Sequence, residues 1–351
     1  MSRIAFYAPM KPPDDPTPSG DREVARLLLR ALEAAGHAPA IVSRFRCRDL
    51  AGDPAAQSRL AAAASAELDR LLPACEADPP ALWFTYHCYY KAPDLLGPAT
   101  ADRLGIPYVI AEPSHSPGRL HGPWAGFARA SLAALRRADR LLWSTARDLP
   151  GLQAVARPGQ LVHLPPFLDP GPPPPPRRLE RPLRLLAVAM MREGDKLASY
   201  RALAEALRLL RGDWTLTIVG DGPARAEVEA LFAELPARFL GRVDRRAALR
   251  AIYESHELFV WPGIGEAFGM VYLEAQAAGL PALAANHPGP AEILATRPLP
   301  EPGDAAAFAA AIEALAARPA AGAEARAHAL ARHSLDAAAA TLGRVIAELV
   351  P

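Results

Sequence analysis

Short apolar runs alternate with amphipathic helical stretches along most of this chain, and that alternation leaves few folds open. In the first half the runs are residues 4–8, 40–43, 82–86, 108–111, 141–144 and 161–164. In the second half they are 185–190, 214–219, 239–240, 258–261 and 282–285. Helical patterns such as 22–35, 199–210, 224–235 and 305–316 lie between them. Strands buried on both faces and separated by helices are the mark of parallel α/β sheets. The expectation is two Rossmann-like domains facing across a cleft. Ligands of open parallel sheets sit beyond the carboxyl ends of the strands, so functional side chains are sought just after an apolar run.

The break between the halves is a proline run at 172–176, flanked by Pro165-Pro166 and by Arg177-Arg178. Such runs favour stiff, extended polyproline II and exclude helix and central strand. This places domains at 1–168 and 183–334, a linker at 169–182, and a last helix within 335–351. A length of 351 residues suits two domains. No run of eighteen apolar residues suggests a transmembrane helix, and the apolar stretch at the N-terminus is too short for a signal-peptide core. The net charge is +1, from 39 basic and 38 acidic side chains. No global field therefore recruits nucleic acid or an anionic membrane, although a local basic patch stays open. Peripheral membrane contact has no feature to support it. Three cysteines without metal-ligand spacing fit a reducing, cytoplasmic setting, and no metal site is expected. Basic residues are almost all arginine, which draws attention to the lysines: Lys11, Lys91 and Lys196.

The most informative segment runs from Phe259 to Pro281 and contains Glu266-Ala-Phe268-Gly269-Met270-Val-Tyr-Leu-Glu274. A strand ends, a Gly-rich turn follows, and a helix begins near Phe268 or Gly269. Free N–H groups at a helix start form a ready anion site, so the backbone of Phe268, Gly269 and Met270 suits a diphosphate. Eight helical residues at about 1.5 Å each would separate Glu266 from Glu274 by roughly 12 Å. That is near the span from a hexose, across a diphosphate, to a ribose. One carboxylate could accept from sugar hydroxyls while the other holds the ribose diol.

This segment resembles the Glu-x7-Glu motif of retaining GT-B glycosyltransferases, family 4 in particular. Glu-Ala-Phe-Gly-x4-Glu followed by Ala-x3-Gly-x-Pro fits without a gap. The resemblance implies that Arg192 and Lys196, after the strand at 185–190, bind the donor diphosphate, although no Gly follows Lys196 directly. It implies nucleoside contacts from Gly220, Arg242 and Val243 beside Glu274. In the N-terminal half the echo is fainter. Gly20 stands where the family has a Gly-rich loop near the phosphates. His115, in the segment led by Gly105-Ile106-Pro107, matches a histidine near the transferred sugar, with Glu266 as its catalytic companion. His87 matches a more variable strand-end position, and Tyr90 and Lys91 are acceptor-side candidates.

The resemblance further implies a GT-B fold whose last helix crosses back to the N-terminal domain. The expected reaction is metal-independent transfer of a hexose-type sugar from a nucleoside-diphosphate sugar, with retention. The acceptor is unknown: a glycan, a lipid-linked glycan or a small molecule. No cofactor is expected beyond the donor. An epimerase of the same fold would hydrolyse or epimerise the donor without transfer, and a non-catalytic sugar-nucleotide binder would bind without turnover. A dehydrogenase fits poorly, because neither half has Gly-x-Gly-x-x-Gly after its first strand.

Overall fold

The computed structural model describes residues 1–17, 19–175 and 182–350; residues 176–181 of the expected linker lie outside them. The chain divides into two compact units, Met1–Pro165 with Leu335–Pro351, and Pro166–Ser334. The division therefore comes three residues before the expected boundary at 168. The reason is local: Leu168 bridges to Ser334 and donates its N–H to the His333 carbonyl at 2.9 Å. Further along, Arg250 donates to the carbonyls of Pro170 and Pro172. The first part of the expected linker is thus tied to the second unit by hydrogen bonds.

Unit 1 is built on β1 (Arg3–Tyr7), β2 (Ala38–Ile41), β3 (Leu82–Tyr86), β4 (Tyr108–Ala111), β5 (Arg140–Trp143) and β6 (Leu161–His163). They form one sheet in the order β2-β1-β3-β4-β5-β6, with every pairing parallel. The interleaved helices are α1 (Gly20–Ala34), α2 (Pro54–Ala77), α3 (Gly97–Leu104), α4 (Ala125–Arg137) and α5 (Leu149–Gln153). Every residue of β3 and β4 is buried, as expected of central strands covered on both faces. The C-terminal helix Leu335–Leu349 belongs to this unit. It buries Leu342, Val345 and Ile346, and Arg140 pairs with its Glu348 at 3.1 Å.

Unit 2 continues with β7 (Leu183–Val188), β8 (Trp214–Val219), β9 (Ala237–Gly241), β10 (Leu258–Val260) and β11 (Ala282–Leu283). The order is β11-β10-β7-β8-β9, again parallel throughout. Its helices are α6 (Asp195–Leu209), α7 (Arg225–Leu231), α8 (Arg246–Glu254), α9 (Met270–Ala277), α10 (Pro288–Ile293), α11 (Ala305–Ala316) and α12 (Ala321–His333). The helix expected over 224–235 stops at Leu231. Phe232 and Leu235 donate back three residues instead of four, tightening the chain into turns ahead of Pro236.

Each sheet has one place where strand order reverses, between β1 and β3 in unit 1 and between β7 and β10 in unit 2. The helices that follow those strands diverge to opposite faces, and the gap left at the carboxyl ends is where such folds take ligands. Both strand-end clusters described below fall at these two places.

Asp94 anchors the interior of unit 1. Its buried carboxylate accepts from Thr85 Oγ1 (2.5 Å), Tyr108 Oη (2.8 Å), Trp83 Nε1 (3.3 Å) and the backbone N–H of Leu96 and Gly97. A Cβ on Gly97 would lie 2.2 Å from Asp94 Oδ2, so this carboxylate needs a glycine beside it. Asp94→Ala strands several buried donors at about 1–3 kcal/mol each. We expect the urea midpoint of unit 1 to fall by the equivalent of about 3 kcal/mol; a loss below about 1 kcal/mol would contradict the anchoring role.

Candidate active site

In unit 2 the loop after β10 and the start of α6 after β7 meet around Glu266. Lys196 forms an ion pair with Glu266 Oε1. The same oxygen accepts from Trp261 Nε1 at 3.1 Å, and the Lys196 ammonium stands 5.9 Å from the centre of the Trp261 ring. Glu266 Oε2 is bonded by no described residue. Lys196 has three N–H donors and spends one on Glu266. The cluster thus offers a free carboxylate oxygen and unspent cationic donors side by side.

The loop carrying Glu266 is held from both sides. Ile264 donates its N–H to Ser199 Oγ at 3.0 Å, and Tyr272 Oη donates to the Trp261 carbonyl at 2.9 Å. Gly265 has φ +69, and a Cβ there would meet Asp195 Oδ2 at 2.1 Å. Gly289, at the start of α10, lies so close that a Cβ would stand 2.0 Å from the Ala267 carbonyl. The helix begins at Met270, with Gly269 at φ +79 as its cap and no capping side chain. Among the described residues, no acceptor takes the N–H groups of Phe268, Gly269, Met270 or Val271. Four consecutive open donors at a helix start make an anion-binding cradle.

Because Glu266 precedes α9, only part of the chain between it and Glu274 is helical. The expected 12 Å helical spacing is therefore corrected: the loop, with Gly269 in the left-handed region, sets the separation. Glu274 is held elsewhere, its Oε2 accepting from Tyr253 Oη at 3.0 Å. Burial raises the Glu274 pKa, while the Tyr253 hydrogen bond and the Arg246 charge pull it back down in part.

Other expected residues lie in less engaged positions. Arg192 is exposed and pairs with no carboxylate among the described residues. Arg242 is exposed and bonded to Asp244 at 2.6 Å, and Val243 packs in part against the core. Gly220 has φ +144, and a Cβ on it would lie 1.8 Å from the Ala189 carbonyl. Close approach of the β7 loop is enough to require that glycine, with no ligand needed.

In unit 1, the Ser19 hydroxyl caps α1 by accepting from the Arg22 N–H at 3.3 Å. Gly20 opens the helix, and a Cβ there would meet nothing within 4 Å. The following residue, Asp21, reaches the end of β3, where its carboxylate lies 3.2 Å from His87 Nδ1. His87 adopts φ 63, and Glu112, the first residue after the neighbouring β4, adopts φ 53. Left-handed backbone costs a non-glycine residue on the order of 1–3 kcal/mol and clusters at functional sites. Burial alone would lower the His87 pKa; the Asp21 hydrogen bond and the charges of Glu112, Asp21 and Asp148 outweigh it and raise the pKa. Burial raises the Glu112 pKa, with His87 and Tyr86 opposing. His87 Nε2 has no partner among the described residues.

His115 stands further along the chain than the strand ends. It lies four residues beyond the end of β4 in a loop, half-buried, its carbonyl pressed so closely on Gly151 that a Cβ there would sit 2.3 Å away. Burial and the Arg136 charge lower its pKa. The strand-end side chains of unit 1 are His87 and Glu112. Sequence reasoning passed over Glu112 and Asp21, yet Glu112 directly follows the apolar run 108–111. The rule that functional residues follow apolar runs points to it. Beyond His87, Tyr89 (4.7 Å between ring centres), Tyr90 and Trp124 form a chain of ring contacts, with Lys91 over the last two. Among the described residues, no group of three or more His, Cys, Asp or Glu is placed to hold a metal ion. Likewise no described helix is long and apolar enough to cross a membrane.

Comparison with known proteins adds a family. Residues 182–318 match the family described as glycosyl transferases group 1. A stretch of 79 residues is 38% identical to a sulfoquinovosyl transferase of Arabidopsis thaliana, covering 22% of this chain and 15% of that protein. A stretch of 90 residues is 39% identical to a GDP-mannose-dependent alpha-mannosyltransferase of Mycolicibacterium smegmatis, covering 26% of this chain and 23% of that one. The matched stretches thus span less than a quarter of these curated relatives. Over its whole length the fold resembles sucrose-phosphate synthase from Thermosynechococcus elongatus: TM-score 0.67, 20% identity, 99% of both chains covered. The two parallel sheets with their helices are those of the GT-B fold.

The His87 cluster has a pH signature. A histidine whose folded pKa is raised stabilises the fold fully below its unfolded value, 6.5, and loses that contribution as pH rises through the folded value. His87→Asn removes the titrating ring and keeps a residue tolerant of left-handed backbone. The melting temperature of the variant should fall further below wild type at pH 5.5 than at pH 9. An equal deficit at both would show that the Asp21–His87 pair carries no charge in the folded state.

Proposed function

We propose that the chain, whose residues 182–318 match the glycosyl transferases group 1 family, moves a hexose-type sugar from a nucleoside-diphosphate sugar bound on unit 2 to an acceptor bound on unit 1. One observation carries the reading: Lys196, Glu266 and Trp261 stand together beside the open N–H groups of 268–271 at the reversal point of the sheet. The helix start and the unspent donors of Lys196 suit a diphosphate, with exposed Arg192 as a further cation. Glu266 Oε2 suits the hydroxyls of the sugar. The free oxygen of Glu274 suits the ribose diol, whose donors would favour the ionised carboxylate against the burial that raises its pKa.

The reaction needs charge neutralised on the leaving diphosphate as the sugar C1–O bond breaks. Lys196, Arg192 and the helix N-terminus supply positive potential for that without a metal ion. In a front-face, retaining transfer the acceptor oxygen bonds to C1 from the side of the departing phosphate, and the acceptor proton passes to that phosphate's oxygen. Glu266 fits this step by holding the sugar and restraining Lys196 at once. On unit 1, His87 and Glu112 are the side chains offered at the strand ends, and His115 is the loop residue beyond them.

The test begins with a panel of nucleotide sugars screened by thermal shift, where ligand at 100 times its dissociation constant adds about 2.7 kcal/mol. At least one UDP- or GDP-sugar should stabilise the protein, and Lys196→Ala should weaken UDP or GDP binding by tenfold or more. Unchanged affinity in calorimetry removes Lys196 from the diphosphate. A purely binding protein would show stabilisation with no sugar transfer or donor hydrolysis.

The two glutamates should separate by readout. Glu274→Ala should weaken nucleotide affinity, whereas Glu266→Ala should chiefly lower kcat, roughly 10²-fold, on the scale of one well-placed group. Equal damage to nucleotide affinity from both changes would reverse the assignment.

A further inference from the structure

Unit 1 carries two cations, Lys91 and Arg119, that lie over a shared pair of aromatic rings. Among the described residues, Lys91 and Arg119 take part in no ion pair, although most arginines of this unit do. Lys91 and Arg119 converge on the same two rings. The Lys91 ammonium is 5.6 Å from the centres of both Tyr90 and Trp124, and the Arg119 guanidinium carbon is 5.0 and 5.1 Å from them. Aromatic faces hold cations by their quadrupole and leave the net positive charge unspent, unlike a carboxylate.

The platform under these charges is built, and the nearby acids are committed to building it. The buried Asp49 carboxylate accepts from the N–H groups of Ala51, Gly52 and Asp53 and from Gln57 Nε2. Buried Gln57 in turn donates to the Pro123 carbonyl at 2.9 Å and accepts from the Phe127 N–H at 3.3 Å, fixing both sides of Trp124. Gly52, at φ +72, lets the loop lie against the indole; a Cβ there would be 3.1 Å from the ring. The N–H of Asp49 donates to the Lys91 carbonyl, so the same loop positions Lys91. The indole N–H of Trp124 is itself buried without a partner. The patch is continuous with the strand-end cluster of the same unit through the ring contacts His87–Tyr89–Tyr90–Trp124.

We propose that this patch is an acceptor subsite for an oxyanion: the acceptor presents a sugar ring to Tyr90 and Trp124, and a phosphate to Lys91 and Arg119. The inference rests on the glycosyltransferase reading and narrows its acceptor to an anionic one. Guanidinium forks match phosphate oxygens bidentately, and the ammonium adds a point charge. The phosphate could be that of a soluble sugar phosphate or of a phospholipid headgroup; both present the same chemistry to the patch.

Calorimetry on the full chain compares glucose with glucose 6-phosphate, and flotation compares phosphatidylcholine vesicles with vesicles containing phosphatidylinositol. UDP or GDP affinity is measured in the same preparations. Glucose 6-phosphate should bind where glucose does not, if the source is soluble; binding only to the phosphatidylinositol vesicles assigns the headgroup. In either case Lys91→Gln and Arg119→Gln should each weaken binding by roughly tenfold, and added salt should weaken it further. Failure of both anionic probes in a protein that binds nucleotide overturns the subsite and leaves the donor reading standing. So does equal binding of glucose and glucose 6-phosphate. If Arg119→Gln abolishes nucleotide binding, the patch belongs to the donor and the inference is wrong. Anion binding without any nucleotide binding would instead overturn the donor reading.

Discussion

The contact that organises unit 2 is the ion pair between Lys196 and Glu266 across the face of Trp261. It joins the segment leaving β7 to the segment leaving β10, the two strands between which the strand order reverses. Ion pairs on open surface contribute little, but this one is mostly covered and its carboxylate also accepts from the indole. Its consequence is positional. With Glu266 held, the Gly-rich loop arrives at Met270 with N–H groups that no described acceptor takes.

Unit 1 uses a different device at the equivalent place. Two adjacent strands end in residues with left-handed backbone, one an imidazole and the other a carboxylate. Asp21 from the start of α1 completes the group. The strain at His87 and Glu112 is offset by the ladder bonds just before it, His87 N–H to the Ala111 carbonyl and Glu112 N–H to the Leu142 carbonyl, both 2.9 Å. The sheet thereby fixes where the chain turns, and the turn aims the side chains.

The interior of the same unit shows why these ends are firm. Asp94 gathers donors from β3, β4 and the start of α3, and Asp49 with Gln57 does the same for the loop that carries Trp124. Buried polar networks of this kind give a loop one geometry, because every alternative leaves a donor unpaired. Rigid loops over a rigid sheet suit a site that must present several side chains together.

The sequence by itself determined the parallel α/β class and set the Glu266–Glu274 segment at a strand end and helix start, because burial on both faces and helix-start glycines act locally on the chain. The tertiary structure decided the pairings. Lys196 and Glu266 are 70 residues apart, and Asp21 and His87 are 66 apart; nothing in local periodicity could join them. Strand order also lay beyond the sequence, and with it the place where the gap opens between diverging helices. His115 shows the limit well: the sequence sets it after the apolar run 108–111, but the fold shows that three residues intervene and that Glu112 is the side chain directly after the strand. Side-chain identity is written in the sequence, but convergence depends on long-range packing, which only the folded chain supplies.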